Sequence, residues 1–461
     1  MKKQHIIMLY CLLGFILFYG FFYWLGTYPL LDVDETRYVN MAREMFNTKD
    51  YLTLYLNGEY FFEKPPLFFW LECISFKLAG GVSEFSARLP IVLLSLLPAG
   101  LLLCLCRKVK GDKFAIITTA TLFTSLEYMI LTKIAILDSV LTSFVVSSVL
   151  CYFYTFYVEE QNKKYFWLLT YIFSALAVLA KGIPGMAIPM IIIAVSTVVF
   201  KTYKETLKYL WGILVFLLIT LPWHFIMLKM YGTLFFDEYI MKHHILRFLG
   251  SDVIHRTEPW YFYILTLLWG LFPHIFVLLS QVPKIKNINF KDKFLTLNFI
   301  AVVSILVFFS LSGAKLITYI LPVYPFFAVL IGMIWLRMRK LKLFLSVVII
   351  MSLLSGFLTP YIYEFNYSFG QNDLMKFAKF AKENNYTIST YLTGKKYSLL
   401  YYGNQAKIDF QTEKNLSWLK DELEKENHIV IIKNKRIENL PVKIKEKGVK
   451  YSIIERLDYE E

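Results

Sequence analysis

Long apolar runs separated by short polar loops recur along the chain to about residue 361 and then stop. A membrane-crossing helix needs about 20 apolar residues, fewer where the bilayer thins, and on that criterion the runs predict about eleven spans. They lie at 6–28, 86–106, 114–131, 137–158, 165–180, 183–200, 207–225, 260–279, 294–310, 316–336 and 341–361. The fifth and sixth are short and joined by Lys181-Gly182-Ile183-Pro184-Gly185, which predicts a tight hairpin. No small-residue cleavage site follows the first run, so it reads as a retained helix, not a signal peptide. Beyond residue 361 the pattern changes. Residues 386–392, 428–433 and 451–454 read as strands and 415–426 as a helix between them. The expected fold class is an α-helical polytopic membrane protein, residues 1–361, with a small extracytoplasmic α/β domain at 362–461.

Composition supports a bilayer environment. The 461 residues are 57% hydrophobic and 18% aromatic, with a mean hydropathy of +0.51. A soluble protein so composed would expose large apolar patches. The net charge of +14 would suggest nucleic acid in a soluble protein, but here it sits in short loops between spans, where it reports orientation. Lys2 and Lys3, Arg107 to Lys113, Lys163 and Lys164, Lys201 to Lys208, Lys284 to Lys293 and Arg337 to Lys342 all fall on one side. That side is read as the cytoplasm. The loops at 29–85 and 226–259 and the tail are then extracytoplasmic. The five cysteines show no zinc-ligand or disulfide spacing and read as free thiols.

The chemistry-bearing residues gather on the extracytoplasmic side. Asp32-Val33-Asp34-Glu35-Thr36-Arg37-Tyr38 opens an amphipathic stretch with Val39, Ala42, Met45 and Phe46 at helical spacing, which predicts a helix along the membrane surface. Asp34 could serve only as its N-cap, but two more carboxylates within three residues make capping an incomplete account. Further on, Glu63-Lys64 stands at the entrance of a second helix begun by Pro65-Pro66. Asp138, Lys181 and Lys315 sit at the outer ends of spans, and His244 and His255 in the histidine-bearing loop. Singly, such charges can snorkel to the interface. Together, carboxylates and lysines beside lipid suit group transfer from a lipid-linked phosphate. Lysines hold the phosphate and stabilise its developing charge, while a carboxylate takes a proton from an acceptor.

Seven stretches then carry a resemblance: 32–38, 60–67 (YFFEKPPL), 86–90 (SARLP), 134–142 (IAILDSVLT), 179–184 (LAKGIP), 243–248 (HHILRF) and 310–322 (SLSGAKLITYILP). In this order the chain resembles the protein O-mannosyltransferase-like family of GT-C glycosyltransferases, closest to the lipid A aminoarabinose transferase branch. The resemblance implies a GT-C membrane domain and a polyprenyl-phosphate sugar as donor. It implies Asp34 and Asp138 as catalytic carboxylates and Lys64 and Lys181 as donor-phosphate ligands. Glu35, Arg37, Lys315, Tyr319 and His255 are assigned to the acceptor or the cavity. Glu63 and His244 match positions that hold a divalent metal, zinc or similar; read without the resemblance, Glu63 pairs with a nearby lysine and His244 packs beside His243 in an ordinary loop.

The expected function is sugar transfer from a polyprenyl-phosphate donor to lipid A or a related envelope lipid, on the extracytoplasmic side of a bacterial inner membrane. A protein O-glycosyltransferase is the alternative within enzymes. A lipid-linked-sugar transporter is the alternative outside them, but it needs polar groups at mid-membrane on broken helices. Expected partners are membrane lipids, the lipid-linked sugar and a lipid or protein acceptor, with no nucleic acid.

Overall fold

The computed structural model describes residues 7, 10, 11, 13–15, 18–249, 258–280, 291–366, 370–438 and 440–456. The chain divides into two compact units. The first comprises Met1–Leu25, Phe62–Leu71 and Arg88–Gly356; the second comprises Gly26–Phe61, Glu72–Ala87 and Phe357–Glu461. The division falls within three helices, α2 (Leu67–Leu78), α3 (Glu84–Lys110) and α14 (Leu341–Asn366).

The first unit is helical. Among the described residues six helices are long and apolar enough to cross a membrane, and three shorter apolar helices accompany them. At its centre α6 (Leu137–Tyr154) is buried at every position. A helix apolar all round belongs in such a place, because it has no polar face for water. It packs beside α7 (Glu160–Lys181) and α8 (Pro184–Phe200), with Ser148 Oγ donating to the Thr170 carbonyl at 2.8 Å. The predicted hairpin joins α7 to α8 through Gly182, whose φ of +79° suits glycine.

Two predicted spans are interrupted. The third divides into α4 (Asp112–Phe123) and α5 (Leu126–Leu131), and the eighth into α10 (Phe262–Gly270) and α11 (Ile275–Leu279). The breaks face each other: Leu126 N–H donates to the Phe272 carbonyl at 3.1 Å, and Thr124 Oγ1 lies 2.8 Å from His274 Nε2. Each break thus satisfies backbone that a helix would have satisfied internally. After α9 (Gly212–Phe235) a π-helix runs over Phe236–Leu246. After α12 (Lys293–Leu311), the tenth predicted span begins as a 3-10 turn, Ile317–Val323, before α13 (Tyr324–Met338).

The basic loops meet one another. Lys110 pairs with Asp292 at 2.8 Å, Lys163 with Glu205 at 3.0 Å and Lys208 with Glu160 at 2.9 Å. Lys293 lies over the rings of Phe156 and Phe200. These contacts gather four loops that the charge pattern assigned to one side at one end of the first unit. Asp138 in the first turn of α6 and Lys181 in the last turn of α7 lie at the other end of those helices.

The second unit contains α1 (Asp34–Thr48), the hairpin β1 (Tyr55–Leu56) and β2 (Glu59–Tyr60), and a C-terminal α/β fold. Its five-stranded sheet has the order β4-β3-β5-β7-β6, from β3 (Thr387–Tyr391), β4 (Asp409–Gln411), β5 (His428–Lys433), β6 (Val442–Lys447) and β7 (Tyr451–Arg456). β3 pairs in parallel with β4 and β5, while β7 runs antiparallel to β5 and β6. Ile429 to Ile432 are all buried, the continuous apolar run expected of a strand covered on both faces. Helix α17 (Leu416–Leu423), N-capped by Asn415, packs Leu419 against Tyr391, Val430, Ile432 and Ile454. Helices α15 (Asn372–Glu383) and α16 (Ser398–Tyr402) complete the fold. Residues from the first loop are tied into it: Asn40 Nδ2 donates to the Tyr397 carbonyl at 2.9 Å, Arg43 to those of Leu400 and Tyr401, and Asn57 exchanges two 2.8 Å bonds with the backbone of Ile408.

Candidate active site

In the first unit a cavity of about 360 Å³ opens where α6, α7, the π-helix and the 3-10 turn converge. Lys64, Asp138, Lys181, His243, His244, Arg247, Ser312 and Tyr319 supply its polar groups. Leu141, Ile183, Pro184, Ile245, Phe248, Phe308 and Phe309 supply much of the rest. Lys181 Nζ is in direct contact with Asp138 Oδ1 and lies 4.5 Å from the centre of the Tyr319 ring. The Tyr319 hydroxyl accepts from Arg247 Nη2 at 2.8 Å. One connected series therefore runs from carboxylate through ammonium and phenol to guanidinium. Lys64 is buried, and its ammonium donates to the Glu63 carbonyl at 3.1 Å.

The two histidines differ in their neighbours. His243 Nε2 lies 3.8 Å from Glu63 Oε1 and 3.7 Å from Glu238 Oε2. His244 stacks edge-on to Tyr239 at 4.6 Å and passes close to Gly182, where an added Cβ would meet its ring at 2.2 Å. Gly182 is thus needed twice, for its left-handed backbone and for the space it leaves. The buried Nε2 of His244 has no hydrogen-bond partner among the described residues. No group of three or more His, Cys, Asp or Glu side chains suited to a metal occurs among the described residues. A metal here would have Glu63 and His244 as protein ligands and would need its remaining positions filled by water or substrate. The orphaned Nε2 of His244 is a candidate donor, but the Glu63 carboxylate lies beside His243 Nε2, at 3.8 Å.

The other sequence candidates lie elsewhere. Asp34 is in the second unit, in the first turn of α1 and not at its cap, with its side chain 62% exposed. Arg37 Nη2 reaches Asp34 at 2.9 Å and the Tyr38 hydroxyl at 3.0 Å. Glu35 is buried and accepts from Leu31 N–H at 2.8 Å. Asp32 accepts from Thr36 Oγ1 at 2.6 Å, Ser398 Oγ at 2.7 Å and Ser398 N–H at 3.1 Å, anchoring the start of α1. Lys315 is buried in the first unit but does not line the cavity. His255 lies outside the described residues.

Arg247, His243 and Ser312 are polar cavity residues that sequence reasoning left without a role, and Arg247 carries the fixed charge. Arg247 stands three residues after His244, so one helical face presents both, and that spacing could have found it. The aromatic wall of Phe248, Phe308 and Phe309 gave no signal, since aromatic residues are common throughout the spans.

Cations grouped at the head of an apolar wall can hold a phosphate that carries a hydrocarbon tail. Low-dielectric walls strengthen each charge and keep the groups oriented before the substrate arrives.

Comparison with known proteins gives a family and a fold. Residues 7–239 match the family model described as dolichyl-phosphate-mannose-protein mannosyltransferase. An uncharacterized protein of Aquifex aeolicus (strain VF5) is 32% identical over 346 residues, 74% of this chain and 75% of its own. The undecaprenyl phosphate-alpha-4-amino-4-deoxy-L-arabinose arabinosyl transferase of Shewanella sediminis (strain HAW-EB3) is 28% identical over 300 residues, covering 65% of this chain and 54% of that protein. The chain thus spans a little over half the length of that transferase. The crystal structure of ArnT from Cupriavidus metallidurans bound to undecaprenyl phosphate superposes with a TM-score of 0.82 at 16% identity, over 98% of each chain. The family match and the fold together place the chain among multi-pass membrane glycosyltransferases of the GT-C type. The chain belongs to the dolichyl-phosphate-mannose-protein mannosyltransferase family.

Proposed function

We propose that this protein transfers a sugar from a polyprenyl-phosphate donor to lipid A or a related envelope lipid, on the extracytoplasmic face of a bacterial inner membrane. The observation that carries the reading is the cavity itself: Lys64, Lys181 and Arg247 all line one cavity whose other walls are largely apolar. The names of the Shewanella and Cupriavidus proteins, with undecaprenyl phosphate as donor or ligand, support the same donor class. The basic loops lie at the end of the bundle away from Asp138 and Lys181, which supports an extracytoplasmic site. On this reading residues 1–361 with the loop 29–85 form the transferase domain, and 362–461 form the extracytoplasmic domain.

In the reaction the acceptor oxygen attacks the anomeric carbon while the bond from that carbon to the donor phosphate oxygen breaks. The phosphate leaves with the electron pair. Lys64 and Lys181, with Arg247 and Tyr319, hold that phosphate and stabilise its gain in charge. Asp138 orients Lys181. Asp34 takes the proton when the acceptor is a hydroxyl, and Arg37 holds Asp34 in place. Glu63 and His244 would hold a divalent metal, whose charge would add to that of the lysines on the phosphate. A protein acceptor is the second reading, favoured by the description of the matching family model.

Mass spectrometry of envelope lipids from cells with and without this protein tests the proposal. A lipid species heavier by one sugar should be present only with the protein. An unchanged lipid profile, together with a protein that loses a glycan, would replace the lipid acceptor with a protein one.

A further inference from the structure

The second unit carries a cluster of cations that the proposed chemistry does not use. In the sheet order β4-β3-β5, the strand β3 lies between its two parallel neighbours, so the chain leaves it first to one side and then crosses to the other. In open α/β sheets such a reversal leaves a crevice at the carboxyl ends of the strands, where ligands bind. Here that edge is basic. Lys396 lies in the loop after β3, Lys433 ends β5, Arg436 ends the short turn that follows, and Lys450 immediately precedes β7. The register brings these segments together. Ile432 of β5 lies opposite Tyr391 of β3, Lys433 lies opposite Tyr451 of β7, and Asn434 N–H donates to the Lys450 carbonyl at 2.9 Å.

Lys396, Lys433 and Arg436 take part in no ion pair among the described residues. Four carboxylates lie in the segments at this edge: Glu413 and Glu438 are exposed, while Asp373 and Asp32 accept hydrogen bonds that shape the loops. Asp373 accepts from the backbone N–H groups of Val449, Lys450 and Tyr451 at 3.1, 2.7 and 3.0 Å, and Asp32 from Ser398 and Thr36. Partial burial, with the charges of Lys396, Lys450 and Arg436, pulls Lys433 below the usual lysine range. Lys396, Lys433 and Arg436, like charges crowded without an ion-pair partner among the described residues, favour an incoming anion. The loop that carries Lys396 also supplies Ser398, whose N–H and hydroxyl hold Asp32, two residues before Asp34. An anion bound at this edge is therefore tied through one short loop to the segment bearing the candidate base.

We propose that Lys396, Lys433, Arg436 and Lys450 form a binding site for the phosphate of the acceptor lipid's headgroup. The choice of acceptor rests on the transferase reading above; the anion site itself does not.

The test uses the full chain in neutral detergent and the triple variant Lys396→Ala, Lys433→Ala, Arg436→Ala, whose elution and melting temperature should match wild type. Binding is measured for three probes: phosphorylated lipid A, its dephosphorylated form, and phosphatidylglycerol micelles. Wild type should prefer phosphorylated lipid A, and the triple variant should bind it about tenfold or more weakly, since each lost contact is a charge-assisted hydrogen bond. Loss of phosphate should mimic the variant. Equal binding by wild type and variant would overturn the site and leave the transferase reading standing. Equal competition by phosphatidylglycerol would also overturn it, because the cations would then meet bulk lipid and not the acceptor. Wild type that binds phosphorylated lipid A through these residues but transfers no sugar would support the anion site and remove the transferase reading.

Discussion

Lys181 and Asp138 touch each other inside an apolar-walled cavity, whereas Asp34 stands 62% exposed on the second unit with Arg37 beside it. The difference follows from what each group must do. A charge that stabilises a leaving phosphate is worth most where walls exclude water and neighbours fix it beforehand. A group that accepts a proton must regain its starting state each turnover, and exposure to solvent allows that. On the proposed reading, the buried cavity takes the donor and the open α1 terminus takes the acceptor. Each half of that division can be broken separately.

The largest effect should come from Asp34. On a hydroxyl acceptor, Asp34→Asn should lower the rate by ~10²–10⁴, because the side chain can no longer take the proton. A phosphate acceptor is already ionised near neutral pH, so the loss there should be much smaller. Rates on the two acceptor types measure this directly, and full activity on both would remove Asp34 from the chemistry.

Lys181→Ala should slow transfer by ~10²–10³ on every acceptor, since the leaving phosphate is common to all. Asp138→Asn should cost less, because it loosens Lys181 without removing its charge. If Lys181→Ala were acceptor-dependent, the assignment of the cavity to the donor would fail.

A smaller change is expected at Glu63 and His244. Divalent metal in purified protein should fall in both Glu63→Ala and His244→Ala, as measured by elemental analysis. Metal-free protein with undiminished transfer under stringent chelation would remove the metal and leave the lysines sufficient.

The smallest effect concerns stability in the second unit. Glu72 is fully buried, and neither carboxyl oxygen has a hydrogen-bond partner among the described residues. Burial, with the nearby charge of Glu35, holds its pKa well above the usual glutamate range. A carboxyl raised in the folded state favours folding while protonated, so stability should fall as pH rises above about 4.3, the unfolded value, and through the folded value. Glu72→Gln removes that contribution. Its melting temperature should exceed that of wild type by a margin that widens with pH; a constant margin would mean that Glu72 does not titrate.

Sequence reading reached the two units unevenly. Asp138 and Lys181 were legible because a charge at the end of an apolar run stands out, and Gly182 because it separates two such runs. The run through Thr124 and Ser125 carries no turn signal, so its break was not legible; it depends on Leu126 meeting Phe272 and Thr124 meeting His274 across the fold. The strands at 428–433 and 451–456 were marked by buried β-branched residues. β6 was missed because Lys443, Ile444 and Lys445 are all exposed, and β4 because three residues carry too little pattern. The union of α1 with the C-terminal fold was hidden most deeply. It rests on bonds such as Asn40 to Tyr397, between residues whose separation no local pattern reports.

The most direct measurement is transfer by purified protein in lipid bilayers, with a polyprenyl-phosphate sugar as donor and lipid A as acceptor, followed by mass spectrometry. Wild type should add one sugar to the acceptor and release polyprenyl phosphate in equal amount, while Lys181→Ala should do neither at a comparable rate. Release of sugar or phosphate at the same rate by both proteins, or transfer that survives Lys181→Ala, would contradict the account.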